Sequence, residues 1–187
     1  MGELGESVVE RIHNRFLLSF VILMDVPLSN NQIIKELGPP SEDILLYKDL
    51  HKYDSIEQLF YQDNLRIILI ESAPSRGHWV SLIKDKDTYI YFDSYGKSPD
   101  HWVKIFKGFY RNLLGDDPAE IKRLSRGRKL IYNKVKFQGK NSSTCGRWQI
   151  AWTEFYNRGY SLPEFQKCMR LNKLTTYDDL VLALVPI

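Results

Sequence analysis

Three apolar runs in the middle of the chain, separated by short polar turns, limit what it can fold into. Leu65-Arg66-Ile67-Ile68-Leu69-Ile70 is nearly all apolar, the pattern of a strand covered on both faces. His78-Trp79-Val80-Ser81-Leu82-Ile83 and Thr88-Tyr89-Ile90-Tyr91-Phe92 follow, with only Lys84-Asp85-Lys86-Asp87 between them. So short a turn joins antiparallel neighbours, and the spacing predicts a hairpin. A fourth strand is expected over residues 129–137. Helical patterning surrounds this block. Residues 6–23 read as an amphipathic helix, and Ser29 caps a short helix over 30–37 that Gly38-Pro39-Pro40 ends. Ser55 caps a helical turn over 56–61. Residues 100–114 place Trp102, Ile105, Phe106, Phe109 and Leu113 on one side of a helix. Thr144 or Ser143 caps a helix from 145 to 157, and Tyr177-Asp178-Asp179 opens a last one to about 185. The fold class is α+β: a mostly antiparallel central sheet of four or five strands flanked by helices. No repeat or linker splits the chain, so its 187 residues are expected to form a single domain, with a helical N-terminal segment over 1–40.

Composition narrows the chemistry. The two cysteines, Cys145 and Cys168, do not make a disulfide framework, and there is no CxxC or Cys/His pair at zinc spacing, so no metal is expected. A reducing, intracellular compartment is the simpler setting. Cys168 reads as a core thiol. The run from Phe16 to Met24 falls short of a membrane span, and the residues before it mix Glu3, Glu6 and Glu10 with Arg11 and Arg15. No small-residue cleavage site follows it, so a secretory leader is not expected, nor is contact with a membrane.

Four residues suit catalysis. Cys145 falls in the first turn of a predicted helix, where free N–H groups and the helix dipole favour a thiolate. His78 follows Gly77 at a strand start. Asp93 ends the second strand of the hairpin, whose pairing returns it toward the His78 ring, where a carboxylate could fix the imidazole tautomer. Gln138 precedes Cys145 by seven residues, a loop long enough to fold back and point its amide at an oxyanion. A thiol, an imidazole, a carboxylate and an amide donor are the parts of a cysteine hydrolase. Gly146 is expected to let a substrate backbone approach the helix N-terminus.

Gly77-His78-Trp79, Phe92-Asp93-Ser94-Tyr95-Gly96, Phe137-Gln138 and Thr144-Cys145-Gly146 resemble the adenain fold of cysteine proteases. That group includes the adenovirus maturation protease and the SUMO-specific proteases; the look is nearest to the capsid-maturation proteases of virophages and polinton-type elements. The order His, acid, Gln, Cys is the group's order. Asp93 stands where the adenovirus enzymes carry Glu and matches the SUMO proteases. The resemblance covers about residues 64–157 and implies a catalytic core there. It also implies a monomeric endopeptidase that cuts after small residues, glycine above all, in which Trp79 walls the substrate channel. A capsid precursor is the implied substrate, and the host cell or the virion the implied location. Other readings are a deconjugase for ubiquitin-like modifiers, an acyltransferase on the same residues, and a catalytically inactive nucleic-acid-binding module.

Charge is uneven. Residues 101–140 hold eleven Lys and Arg against three acidic residues, while the whole chain carries only +3. Lys122, Arg123, Arg126, Arg128 and Lys129 form the densest part, a candidate surface for phosphate contacts with nucleic acid. The resemblance requires no cofactor for the chemistry and makes DNA or a peptide a candidate activator, since the adenovirus enzyme uses viral DNA.

Overall fold

The computed structural model describes residues 25–38, 44–60, 63–74, 76–115, 118–171 and 176–187; the expected helix over 6–23 and Pro39-Pro40 lie outside them. Among the described residues, five strands form one sheet in chain order: β1 (Ile44–Leu46), β2 (Leu65–Ala73), β3 (Arg76–Asp85), β4 (Thr88–Phe92) and β5 (Lys129–Tyr132). The three central strands are antiparallel, and the short outer strands join in parallel. The predicted hairpin closes over a two-residue turn, Lys86-Asp87, with Asp85 opposite Thr88 and Ser81 opposite Phe92. Lys86 takes φ +53° in that turn.

Parallel pairing needs an excursion between partners. The chain leaves β4 through α3 (His101–Ile105), α4 (Lys107–Leu114) and α5 (Glu120–Leu124) before it returns as β5. A buried carboxylate fastens this excursion. Asp100 Oδ1 accepts from the Tyr47 hydroxyl at 2.5 Å and from the Ile121 N–H at 3.1 Å, and Oδ2 from the Lys122 N–H at 3.0 Å. Tyr47 stands in the 3₁₀ turn Tyr47–Lys52 that follows β1, so three distant segments meet at one side chain.

Two sequence expectations change here. The helix expected over 100–114 breaks at Phe106, which resets the helical phase. Val103 and Tyr110 are buried, whereas Ile105 is 55% exposed. The fourth strand stops at Tyr132 because Asn133 hydrogen-bonds the backbone of Asp93 with its side chain, which turns the chain out of the ladder. Beyond it, the N–H groups of Phe137 and Gln138 both donate to the Ser94 carbonyl, at 2.8 and 3.0 Å.

Strand alternation splits the interior into two cores. Trp79, Ile83, Ile90 and Phe92 face α6 (Cys145–Asn157) and α7 (Leu162–Leu171), while Val80, Leu82, Tyr89 and Tyr91 face Tyr47, Val103 and Tyr110. In the first core, Phe165 of α7 lies within ring-stacking or edge distance of Phe92, Phe137, Trp148, Trp152 and Phe155. Burying one such ring stabilises the fold by roughly 1.5–3 kcal/mol. Helix α7 was not anticipated, although its Ser-x-x-Glu start is legible: Ser161 N–H and Oγ–H donate to Glu164 at 2.8 and 2.6 Å. Two shorter N-terminal helices, α1 (Asn30–Leu37) and α2 (Ile56–Leu59), and a final one, α8 (Tyr177–Leu184), complete the fold. Ser29 and Gln32 cap α1 reciprocally.

Candidate active site

One half of the site grows from the ends of β3 and β4. Gly77 is pressed against β2: a Cβ there would lie 2.1 Å from the Ile70 carbonyl oxygen, so only glycine fits. His78 follows, opposite Ile70 and beyond the last β3–β4 pair, where β3 leaves room for what comes after β4. Asp93 fills that room and is fully buried. Its Oδ1 accepts from His78 Nε2 at 2.9 Å and from the Tyr95 N–H at 2.8 Å; Oδ2 accepts from Trp102 Nε1 at 2.7 Å. Asn133 fixes the Asp93 backbone from both sides, accepting its N–H at 2.8 Å and donating to its carbonyl at 2.7 Å. The His78 ring lies 4.8 Å from the Trp102 ring and 5.3 Å from that of Tyr95.

Cys145 lies near enough to the His78 ring to influence its protonation. Burial pulls the imidazole pKa down, but the hydrogen bond and charge of Asp93, with Cys145 acting in the same direction, outweigh it. The result is a pKa pushed up to about 9, so the ring is an imidazolium at neutral pH.

The other half is a loop and a helix start. Cys145 is the first residue of α6, a position whose N–H has no partner within the helix. The helix is anchored by Trp148 and Trp152, both fully buried, and by Gln149, whose Nε2 donates to the Trp79 carbonyl at 2.9 Å. Gln138 is held at both ends of its amide. Oε1 accepts from Ser94 Oγ at 2.7 Å, and Nε2 donates to the Ser142 carbonyl at 2.7 Å. An amide nitrogen carries two hydrogens, so this leaves one for a ligand. Ser94 adjoins Asp93 and Ser142 lies shortly before Cys145, so Gln138 spans the two halves.

The predicted cap at Thr144 takes another form. Its hydroxyl does not cap α6 but donates to Asp178 Oδ1 at 2.6 Å. Gly146 is buried, and a Cβ there would come within 3.2–3.4 Å of Leu28, Ile33 and Trp79. The close approach that the missing side chain permits in the structure is that of these three core side chains. Trp79, expected as a channel wall, is buried in the core beside it, at 5% exposure. Arg147, unremarked in the sequence, is almost wholly buried; its guanidinium donates to the carbonyls of Val26 at 2.7 Å, Ile187 at 3.0 Å and Val185 at 3.3 Å. Trp102 and Asn133 were missed as well. The end of a strand run at Asn133 was the available signal for the latter; nothing local marks Trp102 apart from other core aromatics.

Among the five basic candidates, Arg123 is committed internally, to Glu120 at 2.7 Å and to the carbonyls of Leu50 and Tyr53. Arg128 pairs with Glu57 at 2.5 Å. Lys122, Arg126 and Lys129 are exposed. Cys168 is a free, half-buried thiol packed against the first core, and burial pushes its pKa up. Among the described residues no group of three or more His, Cys, Asp or Glu could hold a metal ion, and no helix is long and apolar enough to cross a membrane.

Comparison with known proteins gives a relative in sequence and several distant structural likenesses. No family model matches the chain. Solved structures similar to it include the central domain of the uncharacterized Lpg1148 protein of Legionella pneumophila, with a TM-score of 0.44 and 14% identity over 84% of this chain and 92% of that one. The C-terminal Ulp1 protease domain in complex with Smt3, the yeast ortholog of SUMO, scores 0.39 with 15% identity over 99% of this chain and 95% of that one. ChlaDub1 of Chlamydia trachomatis scores 0.37 with 14% identity over 83% and 76%. In sequence, 130 residues are 35% identical to the uncharacterized protein V9 of Sputnik virophage, covering 67% of this chain and 74% of V9. At that identity and coverage, the chain belongs to the family of the Sputnik virophage protein V9.

Proposed function

We propose that the protein is a cysteine endopeptidase. What supports this reading is the buried hydrogen bond of His78 with Asp93, the influence of Cys145 on the same ring, and a Gln138 amide fixed between Ser94 and Ser142. The Cys145 sulfur attacks a peptide carbonyl carbon, and the carbonyl electron pair moves onto oxygen. That oxyanion meets the second Nε2 hydrogen of Gln138 and the Cys145 N–H. As the tetrahedral intermediate collapses, the C–N bond breaks and the His78 imidazolium gives its proton to the leaving amine. A thioester remains. The now neutral His78 takes a proton from water, whose oxygen attacks the thioester; collapse expels the thiolate and restores the ion pair. Asp93 holds the ring throughout.

The finer reading is cleavage after glycine or another small residue in a viral structural precursor such as a capsid protein. The resemblance of the His78-Trp79, Asp93, Gln138 and Cys145 motifs to maturation proteases supports it, as does the virophage source of V9. The test is a peptide library treated with wild type and with Cys145→Ala, with and without DNA, and with glycine-terminated ubiquitin-like conjugates alongside. Cutting after glycine by wild type alone is the expected result. Cutting of conjugates only would make the protein a deconjugase, and no cutting with an unreactive Cys145 would overturn the hydrolase reading.

A further inference from the structure

The loop between Gln138 and Cys145 is held by a residue from the far end of the described chain. Asp178, in the first turn of α8, accepts three hydrogen bonds from it: Oδ2 from the Gly139 N–H at 2.8 Å, and Oδ1 from Ser142 Oγ at 2.8 Å and from Thr144 Oγ1 at 2.6 Å. These three donors follow Gln138 directly, supply the carbonyl that Gln138 Nε2 binds, and precede Cys145 directly. Gly139 is shaped to its partner, since a Cβ there would come within 2.5 Å of Asp178 Oδ2. The Tyr95 hydroxyl adds a bond to the Gly139 carbonyl at 3.2 Å, and Asp25 accepts from the Ser143 N–H at 2.8 Å. Loops of this length are ordinarily free to sample many shapes, and an oxyanion donor displaced by an ångström loses most of its effect.

We infer that Asp178 is a positioning residue, which sets the distance between the Gln138 amide and the Cys145 N–H by clamping both ends of the loop that joins them. This rests on the hydrolase reading above. Asp178 touches neither the sulfur nor the imidazole, so it acts on the oxyanion donors and leaves the nucleophile as it is. An acceptor at two oxygens is what the loop requires. Asparagine keeps the shape but offers one oxygen and turns an N–H₂ toward donors.

The test compares Asp178→Asn, Gly139→Ala, Gln138→Ala and the double variant Asp178→Asn/Gln138→Ala with wild type. Three quantities are read: kcat and KM for a glycine-site peptide, the rate of Cys145 alkylation by iodoacetamide across pH, and the thermal midpoint. Alkylation displaces iodide from a saturated carbon and forms no oxyanion, so it reports the thiol and His78 alone. Expected is a fall in kcat of about 30-fold or more in Asp178→Asn and in Gly139→Ala, part of the loss an oxyanion donor supports. KM and the alkylation profile should stay within about twofold of wild type, and the double variant should be no slower than Gln138→Ala alone. Wild-type kcat in Asp178→Asn, or losses that multiply in the double variant, would overturn the inference while the hydrolase reading stands. A loss of alkylation equal to the loss of kcat would reduce Asp178 to a structural role. A wild type that neither cuts nor alkylates would overturn both.

Discussion

The two halves of the site are built by different means. His78 and Asp93 stand at neighbouring strand ends, where a hairpin register brings them together and a few buried partners hold them. Gln138 and Cys145 are joined by a loop that has no ladder of its own and borrows its shape from Ser94, Asp178 and Asp25. A regular element places a side chain through its backbone. A loop places one only through partners that fold around it.

Four changes separate the halves, from the largest expected effect to the smallest. Asp93→Asn removes the charge that lifts His78 and should lower kcat/KM by about 10³–10⁴-fold. The sign on pH follows from the imidazole. Its folded pKa is raised from 6.5 to about 9, so the stability it contributes is complete below 6.5 and is lost as pH rises through about 9. The alkaline limb of the rate should lie near that upper value in wild type and move toward neutrality in Asp93→Asn. An unmoved limb would break the strand half of the reading. Gln138→Ala should cost about 10²–10³-fold in kcat with an unmoved alkaline limb, because it touches the oxyanion and not the ring. Equal shifts of the limb in both variants would mean that the halves are not separable.

Asn133→Ala leaves the buried N–H of Asp93 without a partner and takes one of two donors from its carbonyl, which keeps the Gly96 N–H at 2.8 Å. It should cost about 1–3 kcal/mol of stability, read as a lower thermal midpoint, with an activity loss of about tenfold to a hundredfold. A midpoint equal to wild type would show that Asn133 does not hold the strand half. The smallest effect belongs to the surface. Replacing Lys122, Arg126 and Lys129 with Ala should leave peptide hydrolysis unchanged and reduce the salt slope of DNA binding by about one for each phosphate that loses its cation. A wild type whose DNA affinity ignores salt would remove that face from consideration.

The same division explains what could be read in advance. Period-two alternation and a four-residue polar turn carried the hairpin, and with it the nearness of Asp93 to His78. The helix from 145 to 157 was legible to the residue, since its apolar spacing runs unbroken from Trp148 to Phe155. Asn133 stopped the expected fourth strand early because its amide competes with the ladder for the Asp93 backbone, 40 residues away in sequence. Phe106 broke the long helix, and a periodic pattern cannot reveal a phase shift of that kind. Asp178 could be read as opening a helix, but its other use, as an acceptor for a loop 34–39 residues earlier, is a fact of tertiary structure alone. Arg123 looked like its basic neighbours and differs only because Glu120, Leu50 and Tyr53 surround it.

Arg147 has a consequence for the order in which the protein comes into being. Its guanidinium joins Val26 to Val185 and Ile187, reaching 121 residues back and 40 forward from a position two residues past the sulfur. Synthesis proceeds from the N-terminus, and domains fold as their parts emerge. When Cys145 leaves the ribosome, His78, Asp93 and Gln138 are already out, but Asp178 and two of the three carbonyls that seat Arg147 are not. The nascent chain therefore carries the Cys145 thiol without its frame, and the sulfur gains its setting only once α8 has docked.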